Sequence, residues 1–484
     1  MRAKDVSIKK AVLINGVGRY SSVIFHILFT AIFSRILSPE EFGVVAIINV
    51  FVVFFELFSD LGIGTAIIQN QELGKKEHGE IFSFSILLGF ILCILFAAVS
   101  HIISFIYKDE VYTSVGLMFS IVIALTSFNI VPDALIMKNK KFSFASFRLI
   151  CANITSYLLA LILALKGFSY YSLVIRSILF ILIQFILNLV NTGIRPKLIK
   201  SFDSINKIKG YSLYQFGASF LNYFQRNLDN LLIGKFWGSK ELAYYDKSYT
   251  LSRYPVSYLS NIITPVLHPI LAEHQADKEY IYKKYMDVIM VLSAVGVFVS
   301  GVFISSSREI ILLFFGDQWE NSVLPFQIIS LSLWVQMLTG TVGCIMQSLG
   351  NTKRLFNMCS ISVLFSVIGI SLGVCSKSVT VLSAMIDLVY YIHFIIYFYI
   401  TLEKGFNMNF FIFLNDIRKE FLALFLMVIS AFIFDKMLVF DNLMFCCIVK
   451  SMSVLTLYII FSFTVLRNNA AIKYIRSKVQ LIHS

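Results

Sequence analysis

Charge is what this sequence has least of. Asp, Glu, Lys and Arg make up 14% of its 484 residues, where a soluble domain carries about a quarter. With 58% hydrophobic residues, such a chain cannot be a soluble globular protein. Proline is scarce at 7 residues, so little interrupts long helices. A β-barrel is excluded as well, because its strands would alternate polar and apolar residues, whereas here apolar runs continue for about 20 residues. The seven cysteines all fall within apolar segments. Neither zinc-type spacing nor a secreted disulfide framework is present, and the sequence offers no metal site. Catalytic signatures are missing too: there is no P-loop, no HExxH, no GxSxG, and no long outer loop to house a glycosyltransfer site.

What remains is an all-α polytopic membrane protein. Fourteen spans are predicted, with the first six at about 12–36, 42–68, 81–106, 111–136, 143–165 and 168–191. The next six lie at about 211–234, 242–271, 286–315, 322–348, 355–375 and 379–402, and two more at about 418–434 and 443–466. The segment before the first span is basic (Arg2, Lys4, Lys9, Lys10), but the span itself is too long and too polar for a cleaved signal.

The net charge of +13 is explained by topology. With the N-terminus inside, the inner loops and tails hold 26 Lys and Arg and the outer loops 8. That bias orients the chain with both termini cytoplasmic and leaves no case for nucleic-acid binding. The bilayer and its anionic head groups are partner enough for most of this charge.

An internal repeat divides the chain. Shifted by 200 residues, FSRILSPEEFGVV (33–45) aligns with IGKFWGSKELAYY (233–245). Six helices are therefore expected to recur as a parallel repeat, the arrangement in which transporters hold substrate between halves. The expected domains are an N-terminal lobe with its inter-lobe linker at 1–200, a C-terminal lobe at 201–405, and two extra helices with a basic cytoplasmic tail at 406–484.

Ionisable residues inside spans are the candidate site residues, because each costs about 2.5–3.5 kcal/mol in lipid unless it faces protein or water. Arg19 and Arg226 lie in the first helix of each half, and Arg148 and Arg176 in spans five and six. One reading pairs Arg226 with Asp229 at i+3 as a bundle contact. The other makes the four arginines a cationic cavity for an anionic cargo, since a guanidinium binds phosphate bidentately. Glu56, Asp60 and Asp229 are candidates for coupling to H+ or Na+, although residues such as Glu56 and Asp60, near a break at Gly62 and Gly64, more often cap a helix or pair with a basic residue. His26, His268 and His393 lie in apolar surroundings, where packing is the commoner role. The tyrosines from Tyr244 to Tyr258 suit either sugar rings or an interfacial belt.

Several stretches carry a family likeness: RILSPEEFG (35–43), FSDLGIGTAIIQ (58–69), FLNYFQRNLDNLLIGKFWG (220–238), LAYYDKSYTLSRYP (242–255) and GDQW (316–319). In combination the chain resembles the polysaccharide-export branch of the MOP flippases, and within it the Wzx-type (WzxC-like) lipopolysaccharide and exopolysaccharide exporters. One departure is Ala243, where that group usually has Gly. The resemblance implies fourteen helices in two pseudo-symmetric six-helix lobes that open alternately to each side of the bacterial cytoplasmic (inner) membrane. It implies as cargo an undecaprenyl-pyrophosphate-linked oligosaccharide, no cofactor, and a partner in the polysaccharide polymerase machinery. The rival readings are a multidrug or cation antiporter of the same superfamily and a membrane-embedded glycan polymerase or ligase.

Overall fold

The computed structural model describes residues 8–464 apart from 71, 199–215, 217–219, 221–222, 225, 273–276, 438–439 and 441. Most of the expected inter-lobe linker, residues 199–210, lies outside them. Among the described residues the regular structure is helical throughout, with no strand. Among the described residues nine helices are long and apolar enough to cross a membrane, or ten if the bent pair Asp317–Leu331 and Leu333–Ser348 forms one span. Two compact units make up the chain, Met1–Ala243 and Tyr244–Ser484.

The first unit holds α1 (Ile8–Ile36), α2 (Pro39–Asp60), α3 (Ile63–Gln69), α4 (Lys75–Tyr107), α5 (Val111–Lys138), α6 (Phe142–Leu165), α7 (Tyr171–Thr192) and α8 (226–237). The start of α9 (Ser239–Ala272) belongs to it as well. The SPEE run explains where α2 begins. Ser38 is the N-cap, Pro39 takes the first helical position, and Glu41 closes a capping box by accepting from the Ser38 N–H at 2.6 Å. The helix stops where Leu61 and Gly62 adopt φ of 43° and 73°. Gly62 tolerates that conformation without steric penalty, and α3 restarts at once. One expected span is thus two helices joined by a tight break.

The second unit holds the rest of α9, then α10 (Lys278–Ser305), α11 (Ser307–Phe315), a 3-10 turn (Asp317–Ser322), α12 (Val323–Leu331), α13 (Leu333–Thr339) and α14 (Val342–Ser348). It ends with α15 (Thr352–Cys375), α16 (Val379–Tyr399), a π-helical turn (Ile400–Phe406), α17 (Phe410–Met437) and α18 (Leu443–Thr464). The core of this unit is built on Trp334, which is fully buried and donates its indole N–H to the Ser293 hydroxyl at 2.6 Å. Glu309 of α11 and Lys450 of α18, both buried, form an ion pair at 2.7 Å. That pair ties the last helix to the bundle.

The outward faces are apolar. Phe105 is 85% exposed and Val190 78%, and they have many exposed Leu, Ile and Phe neighbours. Such a surface would aggregate in water, and lipid is its proper solvent.

Candidate functional site

The motif pairs that look functional in sequence turn out to pack on each other. In the first unit the repeated stretches 33–45 and 233–243 meet. A Cβ added at Gly43 would lie 1.9 Å from the Ser239 carbonyl oxygen, so only glycine permits that backbone approach. Beside it Lys240 pairs with Glu40 at 3.0 Å. In the second unit LAYYDKSYTLSRYP packs on GDQW: Tyr244 meets Trp319 edge-on, and Lys247 lies 5.3 Å from the Trp319 ring. Ser248 and Ser322 each donate to the other segment's backbone, at 2.7 and 3.0 Å. Tyr245 stacks on Tyr249 and Tyr254 on Tyr258. These residues hold the fold together.

The intramembrane arginines divide by their partners. Arg148, 3% exposed, is paired with the Asp133 carboxylate of α5 and donates to Asn188 Oδ1 of α7 at 2.6 Å. Asn188 in turn donates to Asn129 Oδ1 at 2.8 Å. Three helices thus share one polar network around a compensated charge, which satisfies groups that lipid could not.

Arg176 of α7 is different. Its guanidinium lies 4.3 Å from the centroid of Tyr157 and 5.1 Å from that of Phe180, an aromatic seat that favours a cation. Its polar contact is Nη2 to Asn153 Oδ1 at a long 3.5 Å; its buried Nε, like that of Arg148, has no hydrogen-bond partner. Among the described residues no carboxylate pairs with it. The seat is rigid. Asn153 donates to Ser22 Oγ at 2.9 Å, His26 Nδ1 lies 2.7 Å from the Tyr157 hydroxyl, and Phe29 stacks on the Tyr157 ring at 4.6 Å. Spacing on α6 explains how one helix serves both arginines. Asn153 and Tyr157 are four apart and share a face, whereas Arg148 and Asn153 are five apart and diverge by about 140°.

Arg226 of α8 is exposed, and among the described residues it forms no ion pair. Asp229 is buried and accepts from the Asn230 N–H at 2.8 Å. The i+3 pairing open to these two residues is not made. The side chain of Arg19 lies outside the described residues. Glu56 accepts from the Thr126 hydroxyl at 3.3 Å, and Asp60 accepts from the Gly64 N–H at 3.2 Å, capping α3 across the break. Sequence reasoning missed the seat itself. Asn153, Tyr157 and Phe180 are ordinary membrane-helix residues until α1, α6 and α7 are brought together. Their i, i+4 spacings, Asn153 with Tyr157 and Arg176 with Phe180, were the signal available.

Residues 32–324 match the family described as "Polysaccharide biosynthesis protein". Three bacterial relatives align as well. An uncharacterised membrane protein in the cps region of Klebsiella pneumoniae is 25% identical, covering 67% of this chain and 68% of the relative. The teichuronic acid biosynthesis protein TuaB of Bacillus subtilis is 22% identical, covering 63% of each. The lipopolysaccharide biosynthesis protein WzxC of Escherichia coli is 24% identical over 61% of this chain and 60% of its own. The chain thus spans less than two thirds of the length of the last two. Among solved structures, the lipid II flippase MurJ in an inward closed conformation superposes with a TM-score of 0.73 at 16% identity, covering 94% of this chain and 99% of MurJ. An inward-facing multidrug transporter of the MATE family gives 0.61 at 13% identity, covering 78% and 93%. At these identities the likeness is one of fold. The chain belongs to the polysaccharide biosynthesis protein family and is a multi-pass protein of the inner membrane.

Proposed function

We propose that this protein is a flippase that carries undecaprenyl-pyrophosphate-linked oligosaccharide repeat units from the inner to the outer leaflet, for O-antigen, capsule or exopolysaccharide synthesis. The observation that carries the reading is Arg176, an intramembrane cation seated on Tyr157 and Phe180 with no carboxylate partner among the described residues. A charge kept at that cost without compensation suits a ligand that brings the opposite charge. A pyrophosphate head group meets a guanidinium through two parallel N–H···O bonds, and Tyr157 offers a ring face to the first sugar. Arg226, exposed and unpaired among the described residues, is the second contact, with Arg19 third and Arg148 confined to supporting the bundle. The prenyl tail would stay in lipid while the head group crosses a cationic cavity by alternating access.

In this reading fourteen helices form two six-helix lobes and a C-terminal pair, with lobes at 1–200 and 201–405 and both termini cytoplasmic. A driving gradient of H+ or Na+, acting through Glu56, Asp60 or Asp229, and contact with the polymerase machinery belong to the same reading, as does the absence of any enzymatic step. The names of TuaB and WzxC and the fold of MurJ support it. The test replaces Arg176 and Arg226 by Ala, singly and together, in a strain that depends on this gene. Surface glycan should fall about tenfold or more in the double variant, as expected for lost charge-assisted bonds of roughly 1.5–3 kcal/mol, while lipid-linked repeat units accumulate inside. Wild-type glycan at normal membrane levels of the double variant would sink the proposal.

A further inference from the structure

The second unit holds a buried acid that the flippase reading leaves unused. Asp387 of α16 is 7% exposed, and its Oδ1 has no hydrogen-bond partner. It faces the hydroxyl and amide of Ser332, the residue between α12 and α13, where the helix pair bends by 49°. The bend leaves backbone groups without their usual helical partners, and α16 supplies substitutes. The Tyr391 hydroxyl donates to the Leu331 carbonyl at 2.9 Å. Ser332 Oγ donates to Ile329 O at 3.1 Å and accepts from Gln336 Nε2 at 3.0 Å. Asp387 is the one acid of α16, and it sits at the hinge.

The charges around it are few. α12 and α13 bring no charged side chain. On α16 itself the titratable neighbours are Tyr390, Tyr391 and His393, the last held at 3.0 Å from the Ser362 carbonyl of α15. α15 brings Cys359, which lies beside Tyr397, and at its start Lys353 and Arg354. Arg354 donates to the Lys404 carbonyl in the π-helical turn, which also holds Glu403. Arg253 of α9 reaches the Tyr249 hydroxyl at 2.8 Å, and that hydroxyl contacts Tyr390 at 2.9 Å. Among the described residues no basic group pairs with Asp387.

An ionised carboxylate in this setting would carry a desolvation cost of several kcal/mol, which the Ser332 hydroxyl and amide offset only in part and no basic group offsets. A proton removes the charge and turns the orphaned oxygen into a donor. We propose that Asp387 is a reversible proton-binding site that couples protonation to the geometry of the α12–α13 bend. The step is balanced without a co-reactant: the carboxylate takes one proton from water and becomes a carboxylic acid, and no other bond changes. Proton binding stands by itself, and only its use as a driving force rests on the transport reading.

Dicyclohexylcarbodiimide tests this on the full-length protein in lipid nanodiscs, because it attacks protonated carboxyl groups shielded from water. Peptide mapping should find the adduct on Asp387, at least about fivefold more abundant in acidic than in alkaline buffer if one group titrates. The adduct should vanish in Asp387→Asn, return in Asp387→Glu, and be unaffected by sodium. Tryptophan emission, which includes Trp334 two residues past the bend, should shift over the same pH range in wild type and lose that component in Asp387→Asn. No adduct on Asp387, an adduct insensitive to pH, or protection by sodium at fixed pH would overturn proton binding. An identical emission response in the Asn variant would overturn the coupling to the bend. Labelling needs no cargo, so a failed flippase reading leaves its outcome unchanged.

Discussion

Two arginines on neighbouring helices, similar in sequence context, have opposite fates. Arg148 is compensated by Asp133 and Asn188, and Arg176 has aromatic faces and an amide in place of an acid. Their variants should therefore differ in kind. Arg148→Ala leaves the part-exposed Asp133 and the buried Asn188 without their partner and should lower stability by about 1–3 kcal/mol, read as loss of the folded band in fluorescence-detected size exclusion after heating. Arg176→Ala should leave that profile near wild type and reduce transport, while Arg176→Lys should recover only part of it, because an ammonium cannot pair bidentately. Gly43 is another residue whose identity is dictated by contact. Gly43→Ala places a methyl on the Ser239 carbonyl and should cost about 1–3 kcal/mol or more, seen as reduced yield of folded protein in the membrane.

At the scale of elements, the interruptions are as informative as the helices. The α2–α3 break rests on Gly62 at φ 73° and on Asp60 capping α3. Gly62→Ala should cost about 1–2 kcal/mol by the left-handed penalty, and Asp60→Asn about 1 kcal/mol as a weaker cap, both measurable as shifts in the apparent Tm. The Glu309–Lys450 pair joins α11 to α18 from within the apolar interior. Glu309→Gln alone strands the ammonium and should cost about 3–5 kcal/mol, whereas the double variant Glu309→Leu, Lys450→Met should be close to neutral. That contrast separates a pairing role from a cargo role, which would lose transport in both. The break at Leu61 was partly legible, since Gly62 and Gly64 are in the sequence. The bend at Ser332 was not: LSLWVQ reads as continuous helix, and the Tyr391 hydroxyl that meets the Leu331 carbonyl there comes from 60 residues away.

For the whole molecule, membrane residence and orientation follow from the distribution of charge, and they predict where reagents reach. If both termini are cytoplasmic, as the charge bias predicts, a cysteine at Lys377 should react with an impermeant maleimide in intact spheroplasts, and one at Lys140 only after permeabilisation. The reverse pattern would overturn that orientation. Composition alone placed the chain in lipid, because 58% hydrophobic residues with 14% charge cannot be kept soluble. Local rules dictate the start of α2 at Pro39, three residues before the expected 42, because a capping box needs only four consecutive residues. What tertiary structure decided is which buried charge meets which partner. Lys450 finds Glu309 across 141 residues and Tyr157 finds His26 across 131. In a soluble helix the apolar stripe would have announced the inward face. In lipid both faces are apolar, so the sequence states that an arginine is buried without stating against what.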